Sequence, residues 1–288
     1  MSSLRDAATV VLLRPRDETF EILFLRRHHG HDFMANAWVF PGGSLDADDR
    51  PSASASLPVD LGADEAARRL GDSDPERALG LFITAIRETF EESGFLLARR
   101  TDKHTLLSST GDSSDPPFDA WRRLIDSGDL TIAGLARRHD LILQADPLLY
   151  LAHWITPEFE SKRFDTRFFI TTAPADQQPS HDDGETTESA WWTPTEAIER
   201  YRDDEIFLAP PTLRILSDLQ AFSTVDDALA SIGARDHPPT ILPRLATDAT
   251  DEPTLLLPGD PDYPDEVDEP VHRSSTRMVR RGGQWFSV

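Results

Sequence analysis

Two β-prone runs open the chain, AATVVLL over residues 7–13 and FEILFL over 20–25, and the stretch between them carries Pro15 and Asp17. Apolar runs bounded by turn formers predict a hairpin. A third short strand is expected over 38–40, leading into Pro41-Gly42-Gly43. Residues 46–74 are rich in Asp, Ala, Ser and Pro, the composition of an inserted loop, with one short helix over 65–70. The strongest helical signal follows. Asp74 is a good N-cap, Pro75 suits the first helical position, Glu76 lies in the first turn and Gly94 is placed to stop the helix. At about 100° per residue, Phe82, Ile83, Ile86 and Phe90 fall within roughly 60° of Leu79 and form an apolar stripe. Glu88, Glu91 and Glu92 fall on the opposite side, so one face packs and the other presents three carboxylates.

Further along, the pattern predicts a strand over 95–98, helices over 117–127 and 131–139, strands over 148–155 and 167–172, and helices over 195–201, 212–222 and 225–232. Residues 237–270 are dense in Pro and Asp, and a basic stretch over 273–281 precedes Trp285 and Phe286. That stretch reads by default as a solvated tail, with phosphate binding the alternative. The mixed order of strands and helices, without internal repeat, indicates a layered α/β or α+β domain over 1–235 and a proline- and aspartate-rich extension over 236–288.

Composition narrows the function classes. The 288 residues, 39% of them hydrophobic, are enough for a sizeable core. A formal charge of −22 argues against a nucleic-acid scaffold, which relies on a basic surface. Its simplest consequence is solubility; the Asp-rich balance, with Lys103 and Lys162 the only lysines, also fits a salt-adapted or GC-rich source. The chain has no cysteine, which excludes disulfides, zinc-thiolate sites and cysteine nucleophiles, so a catalytic metal must be held by oxygen or nitrogen. The first residues lack the order of a signal peptide, and no apolar stretch approaches membrane-spanning length; a soluble, cytoplasmic protein is expected.

The three glutamates carry the chemistry. Like charges three or four residues apart on a helix repel by a few tenths of a kcal/mol each, and Arg87 is the only nearby basic residue able to offset them. Three hard oxygen donors suit Mg²⁺ or Mn²⁺, with positions left for water and phosphate oxygens; a solvated acidic face is the bland alternative. The segment RETFEESGF, preceded by the Pro-Gly-Gly turn, resembles the Nudix box, G-x(5)-E-x(7)-R-E-U-x-E-E-x-G-U, with U an apolar residue. Gly43 matches its first glycine, and Arg87, Glu88, Glu91, Glu92, Gly94 and Phe95 match its second half in register. Gly43 and Arg87 stand 44 positions apart against 14 in the uninterrupted box, so 30 residues are inserted. The first box glutamate has no secure counterpart: Asp49 keeps the spacing from Gly43, Leu79 the spacing from Arg87, and Thr89 replaces an apolar residue. With FMANAWVFPGGSLD, HWITP, RFDTRFF and APPTLRIL, this split box resembles the Nudix branch of coenzyme A diphosphatases, over about residues 7–219.

The resemblance implies an α/β/α sandwich around a mixed sheet. It also implies that Glu91 and Glu92 are metal ligands, Glu88 a further ligand or the base that deprotonates water, and Arg87 an orienting residue. Gly42 and Gly43 permit the sharp turn that builds the substrate site. A later-loop carboxylate often completes such a site; Glu185 and Glu188, before Trp191-Trp192, are the two possibilities, with surface glutamates the alternative for both. Arg27, Arg163 and Arg167 are candidates for phosphate contacts, because arginine makes forked bonds to phosphate oxygens; for the latter two an ion pair with Asp165 is an equal alternative. His28, His29 and His31 lack the spacing of a histidine metal motif. His153 is read as a packed strand histidine ahead of a catalytic base, and Trp191 and Trp192 as core ahead of an adenine platform.

A coenzyme A motif of the family, L-L-T-x-R-[SA]-x(3)-R-x(3)-G-x(3)-F-P-G-G, fits Leu23, Arg27 and Phe40, while Asp32 and Asn36 replace its arginine and glycine. The leading expectation is hydrolysis of coenzyme A or an acyl derivative to 3′,5′-ADP and a phosphopantetheine. The rivals are an ADP-ribose, nucleotide-sugar, NADH or capped-RNA pyrophosphatase, and a Nudix-fold sensor that binds without cleaving. The expected partner is a small nucleotide-derived molecule, with no nucleic acid or membrane; a homodimer is compatible with the sequence.

Overall fold

The opening hairpin forms and is longer than expected at both ends: β1 (Leu4–Arg16) and β2 (Thr19–Arg27) pair antiparallel around Asp17, whose φ of 48° lies in the left-handed region. The computed structural model describes residues 3–27, 36–50, 57–103, 106–108, 118–179, 186–246, 253–265 and 275–288. Next come β3 (Trp38–Val39), β4 (Gly42–Ser44), a 3₁₀ turn at Ala47–Asp49, α1 (Ala63–Leu70) and the long α2 (Pro75–Ser93). Then follow β5 (Ala98–Arg100), α3 (Phe118–Asp126), α4 (Ile132–Arg138), β6 (Leu141–Leu143), β7 (Leu149–Ile155), β8 (Arg163–Thr172) and β9 (Thr186–Trp192). After α5 (Pro194–Arg202), α6 (Pro210–Leu219) and α7 (Val225–Gly233), the chain ends in β10 (Thr240–Ile241), β11 (Arg244–Leu245), β12 (Thr254–Leu256), β13 (Arg277–Arg281) and β14 (Gln284–Ser287).

The main sheet runs β10-β7-β8-β1-β2-β3, with β4 also on β1 and β9 also on β2. It is mixed, because β1–β8 and β10–β7 are parallel and the other pairs antiparallel. Successive strand side chains point to opposite faces, and both faces of this sheet are covered, which is why its central strands read as unbroken apolar runs. Ala8, Val10, Leu12, Leu23, Leu25 and Phe169 join one core cluster with residues of α1 to α4. Val11, Leu13, Phe20, Ile22, Phe24, Phe168 and Ile170 join the other with residues of α5 to α7. The result is a helix–sheet–helix sandwich.

The structure departs from the sequence reading at residues 95–97 and over the basic stretch, and makes a strand, β4, of the expected glycine turn. Residues 95–97 are buried but not a strand; the strand is β5, which pairs with β6 outside the main sheet. The basic stretch is no tail over its described part: Arg277 donates to Asp260 through Nε (2.7 Å) and Nη2 (2.9 Å), and Met278 is fully buried. The segment from residue 236 onward contributes Ile241, Leu255, Leu257 and Met278 to the second cluster. Among the described residues no helix is long and apolar enough to cross a membrane.

Because Leu257 is fully buried there, Leu257→Ala should cost about 2–5 kcal/mol in urea denaturation, in a single transition. A loss under about 0.5 kcal/mol would place the C-terminal strands outside the cooperative unit.

Candidate active site

The box helix α2 starts as its sequence dictates: the Asp74 side chain accepts from the backbone N–H of Glu76 and Arg77, and Pro75 occupies the first turn. It stops at Gly94, whose φ of 76° favours glycine. The predicted stripe of Leu79, Phe82, Ile83, Ile86 and Phe90 packs into the first core cluster. The opposite side is not an open acidic face, however. It lies under β4 and the 3₁₀ turn, so Thr84, Thr89 and Glu92 are buried and Glu88 and Glu91 half-buried.

Two glycines make that approach possible. Gly42 and Gly43 pair with Thr9 and Ala8 of β1. A Cβ on Gly43 would sit 2.3 Å from Glu88 Oε1, and one on Gly42 2.5 Å from the Ala8 carbonyl oxygen. The Gly42 N–H donates to Glu92 Oε2 at 2.9 Å, fixing that carboxylate over the strand.

Arg87 sits at the centre. Its Nε donates to Asp49 Oδ1 (3.0 Å), its Nη2 to Asp49 Oδ2 (2.8 Å) and the Ser44 carbonyl (3.0 Å), and its Nη1 to Glu88 Oε1 (2.8 Å) and Glu91 Oε2 (2.6 Å). All five N–H donors are used. Asp49, only 2% exposed, also accepts from Thr84 Oγ1 (2.9 Å) and the Asp46 N–H (3.1 Å). It therefore takes the place opposite the box arginine that its spacing from Gly43 left unsettled. Leu79, the other spacing match, is a core residue.

The electrostatics are unbalanced. Burial opposes charge on Arg87, but the Asp49 hydrogen bonds and the Glu88, Asp49 and Glu91 charges outweigh it and raise its pKa. Burial pushes Glu88 up to about 7, with Arg87 pulling down and Glu91 and Asp49 pushing up, and burial likewise raises Glu91. One guanidinium faces the carboxylates of Asp49, Glu88 and Glu91, with a fourth, Asp46, at 3.5 Å, a donor set whose deficit of positive charge suits a hard divalent cation. Among the described residues no three such groups already converge on a point, since Arg87 stands between Glu88 and Glu91.

These groups line a cavity of about 660 Å³, which also takes in Thr9, Arg27, Asp126 and Phe164. Arg27 is thus beside the carboxylates, whereas Arg163 and Arg167 are not. On β8 the side chains of Phe164 and Thr166 face this cavity, and the alternation of a strand turns Arg163, Asp165 and Arg167 away. Arg163 Nε donates to the Thr156 carbonyl at 3.0 Å, and Arg167, nearly buried, pairs with Asp165. His153 is packed: Nε2 is 2.5 Å from Asp165 Oδ1 and Nδ1 is 2.8 Å from Thr240 Oγ1, and burial lowers its pKa. Glu188 forms an exposed ion pair with Arg26 (2.8 Å) and lines neither this cavity nor the one beside it. Glu185, His28, His29 and His31 lie outside the described residues. Trp191 packs edge-on to Phe95, and Trp192 lies 4.6 Å from Trp38, so both are structural. Phe40 is buried against Phe24 and lines the adjoining cavity. Asn36, standing where the coenzyme A motif has glycine, adopts φ 61°, a conformation asparagine tolerates better than most residues.

The family model described as the NUDT19 Nudix domain matches residues 61–219. The chain is 30% identical over 309 residues to the acyl-coenzyme A diphosphatase NUDT19 of Xenopus laevis, covering 93% of this chain and 80% of that protein. It is 29% identical over 320 residues to the human protein of the same name, covering 98% and 84%. A crystal structure of a Nudix hydrolase from Alicyclobacillus acidocaldarius superposes with a TM-score of 0.63 at 24% identity, over 82% of this chain and 99% of that one. The sandwich is therefore the Nudix fold.

Removal of the Asp49 carboxylate leaves Arg87 short of its main partner in a buried setting. Asp49→Ala should cost about 3 kcal/mol in urea denaturation, the low end for a broken buried pair because Glu88 and Glu91 remain. A variant as stable as the parent would show that Arg87 is held without it.

Proposed function

Since the chain belongs to the NUDT19 family of Nudix hydrolases, we propose that it hydrolyses the diphosphate of coenzyme A or an acyl-coenzyme A, releasing 3′,5′-ADP and the corresponding phosphopantetheine. The observation that carries this reading is the complete set of charged residues in the second half of the box, with Glu88, Glu91 and Glu92 lining one cavity with Arg87. A non-cleaving sensor of this fold would be expected to lack one or more of these carboxylates. The relatives named acyl-coenzyme A diphosphatases support the choice of substrate over ADP-ribose, nucleotide sugars, NADH or capped RNA.

Nudix hydrolases generally use divalent metals. Here Mg²⁺ or Mn²⁺ would be held by Glu88, Glu91 and Glu92, and would supply Lewis acidity that lowers the pKa of the attacking water and offsets charge on the phosphoryl oxygens. The chain's own groups do the positioning. Arg87 keeps Glu88 and Glu91 oriented, the Gly42 N–H fixes Glu92, and Arg27 is placed to bind a non-bridging phosphate oxygen with a forked hydrogen bond. Glu88 serves either as a donor to the cation or as acceptor of the water proton. The water oxygen bonds to one phosphorus, the bridging P–O bond breaks with its electron pair on the departing phosphate, and the proton passes to a base. The adenosine 3′-phosphate is terminal and survives.

Two outcomes are expected. Incubation of coenzyme A with Mg²⁺ should give 3′,5′-ADP and 4′-phosphopantetheine by mass spectrometry, with no early inorganic phosphate; excess chelator should abolish the reaction and added Mn²⁺ restore it. Primary release of the 3′-phosphate would contradict the chemistry, and cleavage of ADP-ribose without coenzyme A would replace the substrate only. Glu91→Gln and Glu92→Gln should each lower kcat at least on the order of 100-fold, from the loss of several kcal/mol of charge stabilisation, without unfolding the protein.

A further inference from the structure

The carboxylate cavity adjoins a second one of about 530 Å³, and Arg27, Glu92 and Phe164 line both. Its walls come from distant parts of the chain: Phe40 just before β4, Phe159 after β7, Phe207 before α6, and Leu245, Leu255 and Trp285 from the C-terminal strands. Six large apolar side chains are exposed among the described residues, and three of them, Phe159, Phe207 and Leu245, lie on this one cavity. Single exposed apolar residues are ordinary, but three converging from separate segments on one concavity mark a binding surface. The ionisable lining is sparse. Among the described residues, Arg27 and Glu92 belong to the junction with the carboxylates, leaving Glu160 and Arg280. An unbranched hydrocarbon chain needs only apolar walls, which this cavity offers.

We propose that this cavity takes the acyl chain of an acyl-coenzyme A together with the thioester end of its pantetheine arm, so that the C-terminal strands determine acyl preference. The assignment rests on the coenzyme A reading for its ligand and on the cavity's adjacency to the carboxylates for its direction. With the diphosphate at Arg27 and Glu92, the pantetheine arm leaves past the shared lining and the acyl group lies against Phe159, Phe207 and Leu245.

The test compares kcat/KM for free coenzyme A with that for hexanoyl- and decanoyl-coenzyme A, in the parent and in Leu245→Asp and Phe159→Asp. Both side chains are about half exposed, so the fold should be kept, as thermal unfolding would verify. In the parent, kcat/KM should rise with chain length, decanoyl- over free coenzyme A by on the order of 10-fold or more, well under the full value of burying each methylene. Each aspartate should bring that ratio down toward one. Independently of hydrolysis, S-decanoyl-pantetheine, which carries no diphosphate, should bind the parent in calorimetric titration and bind both variants at least about 10-fold more weakly. Absent binding, or equal binding by parent and variants, would overturn the assignment. Binding of the thioester with the expected variant losses, but no cleavage of any coenzyme A, would keep the cavity and reject the proposed reaction.

Discussion

The guanidinium of Arg87 is the interaction on which the site depends. A buried arginine is tolerable only when its donors are spent, and here its fork reaches the 3₁₀ turn, the strand of glycines and its own helix at once. Those contacts decide where β4 and α2 meet. They also leave the site electrically incomplete, because one positive group cannot neutralise the four carboxylates that surround it. Rigid scaffold and unmet charge are thus two results of one residue.

The sheet sets the next constraint. Covered on both faces, it has no room for a cleft through its middle, so the cavities form where short strands and turns meet at its margin. Strand alternation then sorts residues that are neighbours in sequence. Phe164 and Thr166 go to the cavities, while Asp165 and Arg167 go to a buried polar group with His153 that ties β7, β8 and β10 together.

Much of this was legible in the sequence, and the failures have physical causes. The hairpin and the box helix declared themselves because periodicity and end signals agreed, Asp74, Pro75 and Gly94 for the helix above all. The strand β4 was hidden because Gly42 and Gly43 have no strand propensity; they are there for the close approach of Glu88. The C-terminal strands, two to five residues long and interrupted by proline, fall below the length at which alternation can be read, yet they close a core. Period two applied to RFDTRFF would have shown that Arg163 and Arg167 cannot share a face with Phe164, although it could not say which face carries the site. Asp49 needed tertiary information, since its partner lies 38 positions away.

That separation changes what kind of object the motif is. An uninterrupted box brings its acidic residue and arginine together within about two turns of chain, so the pair can form as local structure. Here the pair closes a loop of 38 positions, at an added entropic cost of only about 1.4 kcal/mol relative to a spacing of eight, which the burial of Leu61, Ala66 and Leu70 in the inserted segment can offset. The thermodynamic burden is small, but the dependence is different. Arg87, which holds Glu88 and Glu91, is itself held through a contact that only the docked inserted segment supplies, so the orientation of the carboxylates is a long-range property of the chain where the uninterrupted box makes it a local one.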